Sequence, residues 1–276
     1  MFNVKIMSPH PKTSGFKLTQ LWKRYTPGGI GRWGQTQLVT DSTKANFFVM
    51  VERGSDPLAH QGNTIYLQRE PHGKVKAAFR RASRGITHAN QYHASTWWVS
   101  QSYDELVALK PPTKTKNLSS VMTGKTAGEG RSNRLKFLVA LSKKTDLDVF
   151  GKFNPKPDPK GFLTSKGWVE KKETGLLDYR FTVAMEHMSR PGYFSEKLVD
   201  CFLCWCKPIY FGAPNIASYF PPESFIWVDP TDPQAVHKAL QAMKEPIDYD
   251  AIATARESIL NRYNVIASID TLLKGR

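Results

Sequence analysis

Residues 179–214 read YRFTVAMEHMSRPGYFSEKLVDCFLCWCKPIYFGAP. Phe181–Met185 reads as a strand. Ser195 then opens a helical pattern, S-E-K-L-V-D, that runs to Cys206, with the serine placed to accept from the free N–H groups of the first turn. Lys207-Pro208 is expected to stop that helix, because proline has no N–H and its ring clashes with the preceding turn. An apolar strand, Ile209–Phe211, comes next, and Gly212-Ala213-Pro214 turns the chain. Strand, helix and strand in immediate succession are the alternation of an α/β protein built on a parallel sheet.

The alternation extends both ways. Toward the C-terminus, Phe225–Val228 reads as a strand. Asp232 as cap and Pro233 at the first helical position open a helix through about Met243, and Tyr249–Leu273 reads as helical. Toward the N-terminus come a strand at Leu118–Met122, a helix over Ser132–Lys143 and a strand at Asp148–Phe150. The first hundred residues repeat the layout, with strands at Asn3–Ile6, Phe47–Val51 and Thr64–Leu67 and helices at Gly15–Tyr25 and Tyr103–Leu109. Thr26–Gly34, with four glycines and a proline, reads as a connecting loop. The stretch KPPTKTKN, Lys110–Asn117, has no large apolar side chain and marks a boundary. The division expected is an N-terminal domain over 1–110, a linker over 111–117, a C-terminal domain over 118–245 and a helical tail over 246–276 that packs back on the N-terminal domain.

Thirty-nine basic against 24 acidic residues leave a formal charge of +15, which calls for a partner bearing phosphate, anionic sugar or an anionic membrane face. Nucleic acid is the competing partner, suggested by Arg80-Arg81 and Trp97-Trp98. The basic residues are dispersed, however, and no helix-turn-helix, zinc-finger or RNA-binding signature accompanies them. Trp97-Trp98 reads as core filling or as a platform for a sugar ring. No apolar run reaches the roughly 18 residues of a membrane span. Cys201, Cys204 and Cys206 are too close together for a disulfide framework and read as buried core residues. A cytoplasmic, unprocessed chain is expected, with peripheral membrane contact left open by the charge.

The chemistry concentrates where helices begin. Ser195-Glu196-Lys197 puts a full positive charge beside the free N–H groups of a helix end, a place that attracts an anion such as a diphosphate. Glu196 would accept from sugar or ribose hydroxyls there. The alternative is a plain serine cap with both charges solvated. Arg131 and Arg134 open the helix after the first C-terminal strand, where a parallel sheet places its ligand crevice. Either one of them meets the same anion or both are surface charges. Asp146-Leu147-Asp148 has the form of a metal-binding D-x-D but stands at a strand entrance, and the histidines show no ligand spacing, so no metal site is expected.

The segments Tyr179–His187, Gly192–Leu198, Pro208–Pro214 and Ser224–Val228 resemble, in order and spacing, the C-terminal region of the α-1,3/1,4-fucosyltransferases, glycosyltransferase family 10. That family reads roughly Y-K-F-x-L-x-F-E-N, G-Y-[VF]-[TS]-E-K-[IL], P-[IV]-x-x-G and S-F-I-x-V. The resemblance covers about Leu118–Pro230 and is faint before it. It implies the GT-B architecture, two Rossmann-like α/β domains facing a cleft, with the donor nucleotide in the C-terminal domain and the glycan acceptor mostly in the N-terminal one.

The resemblance implies GDP-fucose as donor substrate and no required cofactor or metal. Lys197 and Arg134 match its diphosphate-binding cations, Glu196 and Tyr193 its adjacent donor-binding positions, and Glu186 the acid of F-E-N. Met185 and His187 depart from that motif, which leaves another GDP-sugar as the alternative donor. Glu70, in the run Ile65–Pro71 at a strand end, resembles the carboxylate that serves as catalytic base. As a mere strand-end charge it would pair with Arg69 or Arg80 instead. An inverting fucosyl transfer is the activity implied.

Overall fold

The structure is a computed structural model, and it describes residues 1–8, 14–51, 63–67, 87–89, 95–122, 127–151 and 164–275. The chain forms two compact units, one of Met1–Thr96, Gln101–Ala108 and Ile259–Arg276, the other of Trp97–Ser100 and Leu109–Ser258.

In the first unit the strands are β1 (Phe2–Met7), β2 (Arg32–Trp33), β3 (Thr36–Val39), β4 (Phe47–Val51), β5 (Thr64–Leu67) and β6 (Thr87–Ala89). They lie in the order β2-β3-β1-β4-β5-β6, parallel except for the β2–β3 hairpin. Helix α1 (Gly15–Lys23) starts so close to β1 that a Cβ on Gly15 would stand 2.1 Å from Ile6 O. It buries Leu18 and Trp22 against the sheet side and leaves Phe16 and Leu21 exposed. The loop after α1 is fastened rather than loose: Gly28 N donates to Asp104 on α2 (Tyr103–Ala108), and Gly31 N donates to Thr26 Oγ1.

The second unit holds β7 (Lys116–Val121), α3 (Glu129–Ser142), β8 (Asp148–Phe150), β9 (Thr164–Gly167), β10 (Tyr179–Met185), α4 (Glu196–Leu203), β11 (Lys207–Phe211), β12 (Ile226–Trp227), α5 (Ala235–Ala242) and α6 (Tyr249–Glu257). Its strands run β12-β11-β10-β7-β8-β9, all parallel. Counted from β7 this is the 3-2-1-4-5-6 order of the dinucleotide-binding fold, whose order reverses between β7 and β10. Phe181, Val183, Ile209, Leu118, Leu138 and Leu141 centre its core. Both units are thus Rossmann-like α/β layers, the architecture of GT-B glycosyltransferases.

Three local expectations need correction. Helix α3 starts at Glu129, three residues before Ser132, because Gly128 takes φ +97° and turns the chain into it. Helix α4 ends at Leu203, and Lys207-Pro208 belongs to β11. The stop is made by Trp205, which takes the left-handed φ of +58°, with Cys206 N donating to Cys201 O and Trp205 N to Phe202 O, each at 2.9 Å. This pattern usually needs glycine. Here the indole is held in place by donating to Leu109 O at 3.0 Å and by the Arg256 guanidinium 4.4 Å over its ring. Pro208 is tolerated because it precedes the residues that pair with β12.

The C-terminal helical stretch is also broken. Helix α6 belongs to the second unit, and α7 (Val265–Lys274) belongs to the first. Asn264 separates them, its Oδ1 capping Ile266 N and its Nδ2 donating to Tyr25 O. Within the first unit Asp270 of α7 accepts from Gln35 N and Thr36 Oγ1 of the hairpin. Among the described residues no helix is long and apolar enough to cross a membrane.

Candidate donor-binding site

The carboxyl end of β10 and the first turn of α4 meet at Glu186. Its side chain has no exposed surface, and Glu186 N donates to Phe211 O, which fixes the backbone against β11. Oε1 accepts from Ser195 N at 2.8 Å and from Ser195 Oγ at 2.6 Å, and Oε2 lies 3.0 Å from Lys197 Nζ. Ser195 caps α4 as the sequence requires, its Oγ accepting from Lys197 N at 3.4 Å. The Lys197 ammonium also reaches Ser195 Oγ at 2.9 Å and Glu196 Oε1 at 3.4 Å. Burial works against its charge, but Glu186 and Glu196 outweigh it and hold the lysine above its ordinary pKa. Lys197 is therefore a fixed cation.

Arg134 approaches from α3. Gly130 makes that approach possible, because a Cβ there would stand 1.9 Å from His187 O and force the helix away from the end of β10. The arginine is 7% exposed and donates through Nη1 to Met185 O at 3.5 Å, while its buried Nε has no partner. Burial lowers its pKa, opposed by Glu186. An orphaned guanidinium N–H in a desolvated place is costly unless something accepts from it.

Arg134 and Lys197 line one cavity. Its walls include Ser120 and Val121 of β7 with Met122 just after it, and Thr182–Met185 from β10, so it lies where the strand order reverses, at the place a sheet of this order binds its ligand. Glu186, Tyr193, Glu196 and Arg131, the other described positions singled out in the sequence, are not among the residues that line it. Glu196 stands in the first turn of α4. Tyr193 is 2% exposed, with its ring edge-on to His187 at 5.8 Å and its carbonyl accepting from Tyr210 Oη at 3.2 Å. Arg131 donates to Ala127 O at the start of its own helix. Glu70 lies outside the described residues.

Of the rejected features, Asp148 accepts from Tyr179 Oη at 2.6 Å and pairs with Lys166 at the edge of the sheet. The three cysteines are unpaired and buried, and burial pushes their thiols up, to about 12 for Cys206. Trp97 is in the core and Trp98 is 71% exposed. Among the described residues no group of three or more His, Cys, Asp or Glu is placed to hold a metal ion.

The structure adds two residues that the sequence reading missed. Lys172, in the turn Lys172–Gly175 before β10, lines the same cavity. Tyr210 Oη accepts from Ala213 N at 2.8 Å and so joins the Gly212–Pro214 turn to Tyr193. Tyr210 stood within an apolar strand, and nothing local marks its hydroxyl as a strut.

Comparison with known proteins places the chain in a family and a fold. A 58-residue stretch, 21% of this chain and 12% of the relative, is 36% identical to the alpha-(1,3)-fucosyltransferase FucT of Helicobacter pylori. A 135-residue stretch, 48% of this chain and 33% of the relative, is 27% identical to the 3-galactosyl-N-acetylglucosaminide 4-alpha-L-fucosyltransferase FUT3 of Bos taurus. The matched stretches thus span at most about a third of these relatives. A solved glycosyltransferase from Rickettsia africae shares the fold, with a TM-score of 0.54 at 8% identity over 99% of this chain and 97% of that one. The pattern described as Glycosyltransferase family 10 (fucosyltransferase) C-term matches residues 112–251, just over half of the sequence, and the chain belongs to that family.

Proposed function

We propose that this chain moves fucose from GDP-fucose to a glycan hydroxyl with inversion at the anomeric carbon. The observation that carries the reading is the cavity shared by Arg134 and Lys197 at the reversal of strand order. Two fixed cations, one with an unanswered N–H, suit a pyrophosphate that gains charge as it leaves.

In the reaction the acceptor oxygen bonds to the fucose anomeric carbon, the bond from that carbon to the diphosphate oxygen breaks, and the acceptor proton passes to a carboxylate. Glu70 is the carboxylate we assign to that step, on its match to the family. The diphosphate departs with the electron pair, and Arg134 and Lys197 lower the barrier by meeting its charge, a task that needs no metal. Glu196 takes hydrogen bonds from donor hydroxyls. Glu186, with both oxygens engaged inside the protein, acts through Lys197. Free buried cysteines support a reducing, cytoplasmic setting, and the positive surface supports an anionic glycan or membrane nearby.

Met185 and His187, in place of the family's phenylalanine and asparagine, favour one second reading, the same transfer from a different GDP-sugar. A panel of GDP-sugars and glycan acceptors, incubated with the protein in chelator, decides between them by release of GDP. Acceptor-dependent release with GDP-fucose alone, and a product of inverted configuration by NMR, is the expected result. Release with another GDP-sugar only would establish the second reading, and release with none would reject both.

A further inference from the structure

Among the described residues three cations line the cavity, Arg134, Lys197 and Lys172, and no carboxylate does. The two lysines are built alike. Lys197 is backed by Glu186 at 3.0 Å, and Lys172 is backed by Asp200 at 2.7 Å; both acids have side chains with no exposed surface. Asp200 lies one helical turn beyond Lys197 on α4, an acid set among Leu198, Val199, Cys201 and Phe202, all of which are buried. Its Oδ1 also accepts from Trp98 N at 3.0 Å.

Lys172 Nζ makes a second bond, to Glu196 O at 3.2 Å, the carbonyl of the residue next to Lys197. An ammonium carries three donors, and these two bonds leave one over. The lysine side chain keeps 17% of its surface exposed, whereas its partner keeps none. A pair serving only to pin the turn at Lys172–Gly175 to α4 has no need to show its charge to a cavity, and an apolar pair fills such a place at least as well.

We propose that Lys172 is a third cation of the diphosphate site and that Asp200 is the positioning residue that holds it there. The proposal rests on the donor reading above for the identity of the anion. Its chemistry is a diphosphate oxygen accepting the third Lys172 N–H while Arg134 and Lys197 engage the others. Asp200 keeps the ammonium charged and aimed without itself lining the cavity.

The test uses calorimetry on the full chain with three probes, inorganic pyrophosphate, GDP and guanosine. The variants are Lys172→Met combined with Asp200→Asn, which leaves no lone buried charge, and Lys172→Gln, which keeps a donor toward Asp200 without the charge. Both are expected to bind pyrophosphate and GDP about 10- to 100-fold more weakly, the worth of one charged hydrogen bond, with guanosine binding unchanged. Lys172→Arg should recover most of the loss.

Unchanged pyrophosphate affinity in either variant overturns the proposal, as does an equal loss for guanosine, which would mark a purely structural pair. A native chain that does not bind pyrophosphate overturns it too. If the native chain binds pyrophosphate through Lys172 yet transfers no sugar from any GDP-sugar, the cation site stands and the proposed reaction falls.

Discussion

Lys197 Nζ lies 3.0 Å from Oε2 of Glu186, a side chain wholly removed from solvent at the end of β10. The strand thereby fixes the charge that the helix presents. Removing the acid leaves Lys197 and the Ser195 hydroxyl without their shared acceptor in a desolvated place. Glu186→Ala should therefore cost about 3–5 kcal/mol in urea denaturation. Glu186→Gln should cost less, since Ser195 keeps an oxygen to donate to, while GDP affinity still falls.

The same pair sets a pH dependence. The folded state holds Lys197 above its unfolded pKa, so its contribution to stability is complete below the unfolded value of about 10.4 and is lost as pH rises through the folded one. Urea midpoints of the native chain should show this part of the stability flat from neutral to about pH 10 and declining above it. In Lys197→Met that alkaline decline should be smaller, and an equal decline would remove Lys197 as its source.

Gly130→Ala should disable the site from a distance. The added Cβ meets a backbone oxygen, His187 O, and neither side can rotate away. Helix α3 has to shift and take Arg134 with it. The expected cost is about 1–3 kcal/mol of stability, as for an overpacked core, together with weaker binding of GDP by calorimetry. Intact GDP affinity would show that Arg134 does not depend on this approach.

Trp205→Gly pits backbone against side chain. Glycine removes the strain of a left-handed tryptophan, about 1–2 kcal/mol, but the change forfeits the bond to Leu109 and the stack under Arg256. Loss of a buried aromatic costs about 3–5 kcal/mol, so packing wins and the variant should unfold at lower urea. A stabilised variant would mean that strain dominates.

The strands at 47–51, 64–67 and 148–150 could be read directly, because short β-rich runs between turn residues have few other ways to be satisfied. The serine cap before α4 was equally plain. Pro208 misled because a proline after a helical pattern commonly stops it, whereas the chain had already turned at a tryptophan, where local chemistry predicts glycine. Lys172 was hidden for another reason. Lys171, Lys172 and Glu173 are adjacent charges with three fates, exposed, half-buried and buried, and only the 3-10 turn that carries them sorts one from another. Asp200 did carry a signal in sequence, an acid set among the apolar residues Leu198, Val199, Cys201 and Phe202, and such a residue requires a partner.

Helix α7 returns to the unit that holds β1, and Trp97–Ser100 belongs to the other, so the backbone passes between the units four times. Neither unit can be released by one cut of the polypeptide. A clip at any single crossing leaves further covalent ties, and a clone ending at the last residue of the family match would deprive the β2–β3 hairpin of Asp270. Any attempt to isolate the second unit by truncation thus damages the first, and point substitution in the intact chain is the sounder way to dissect it.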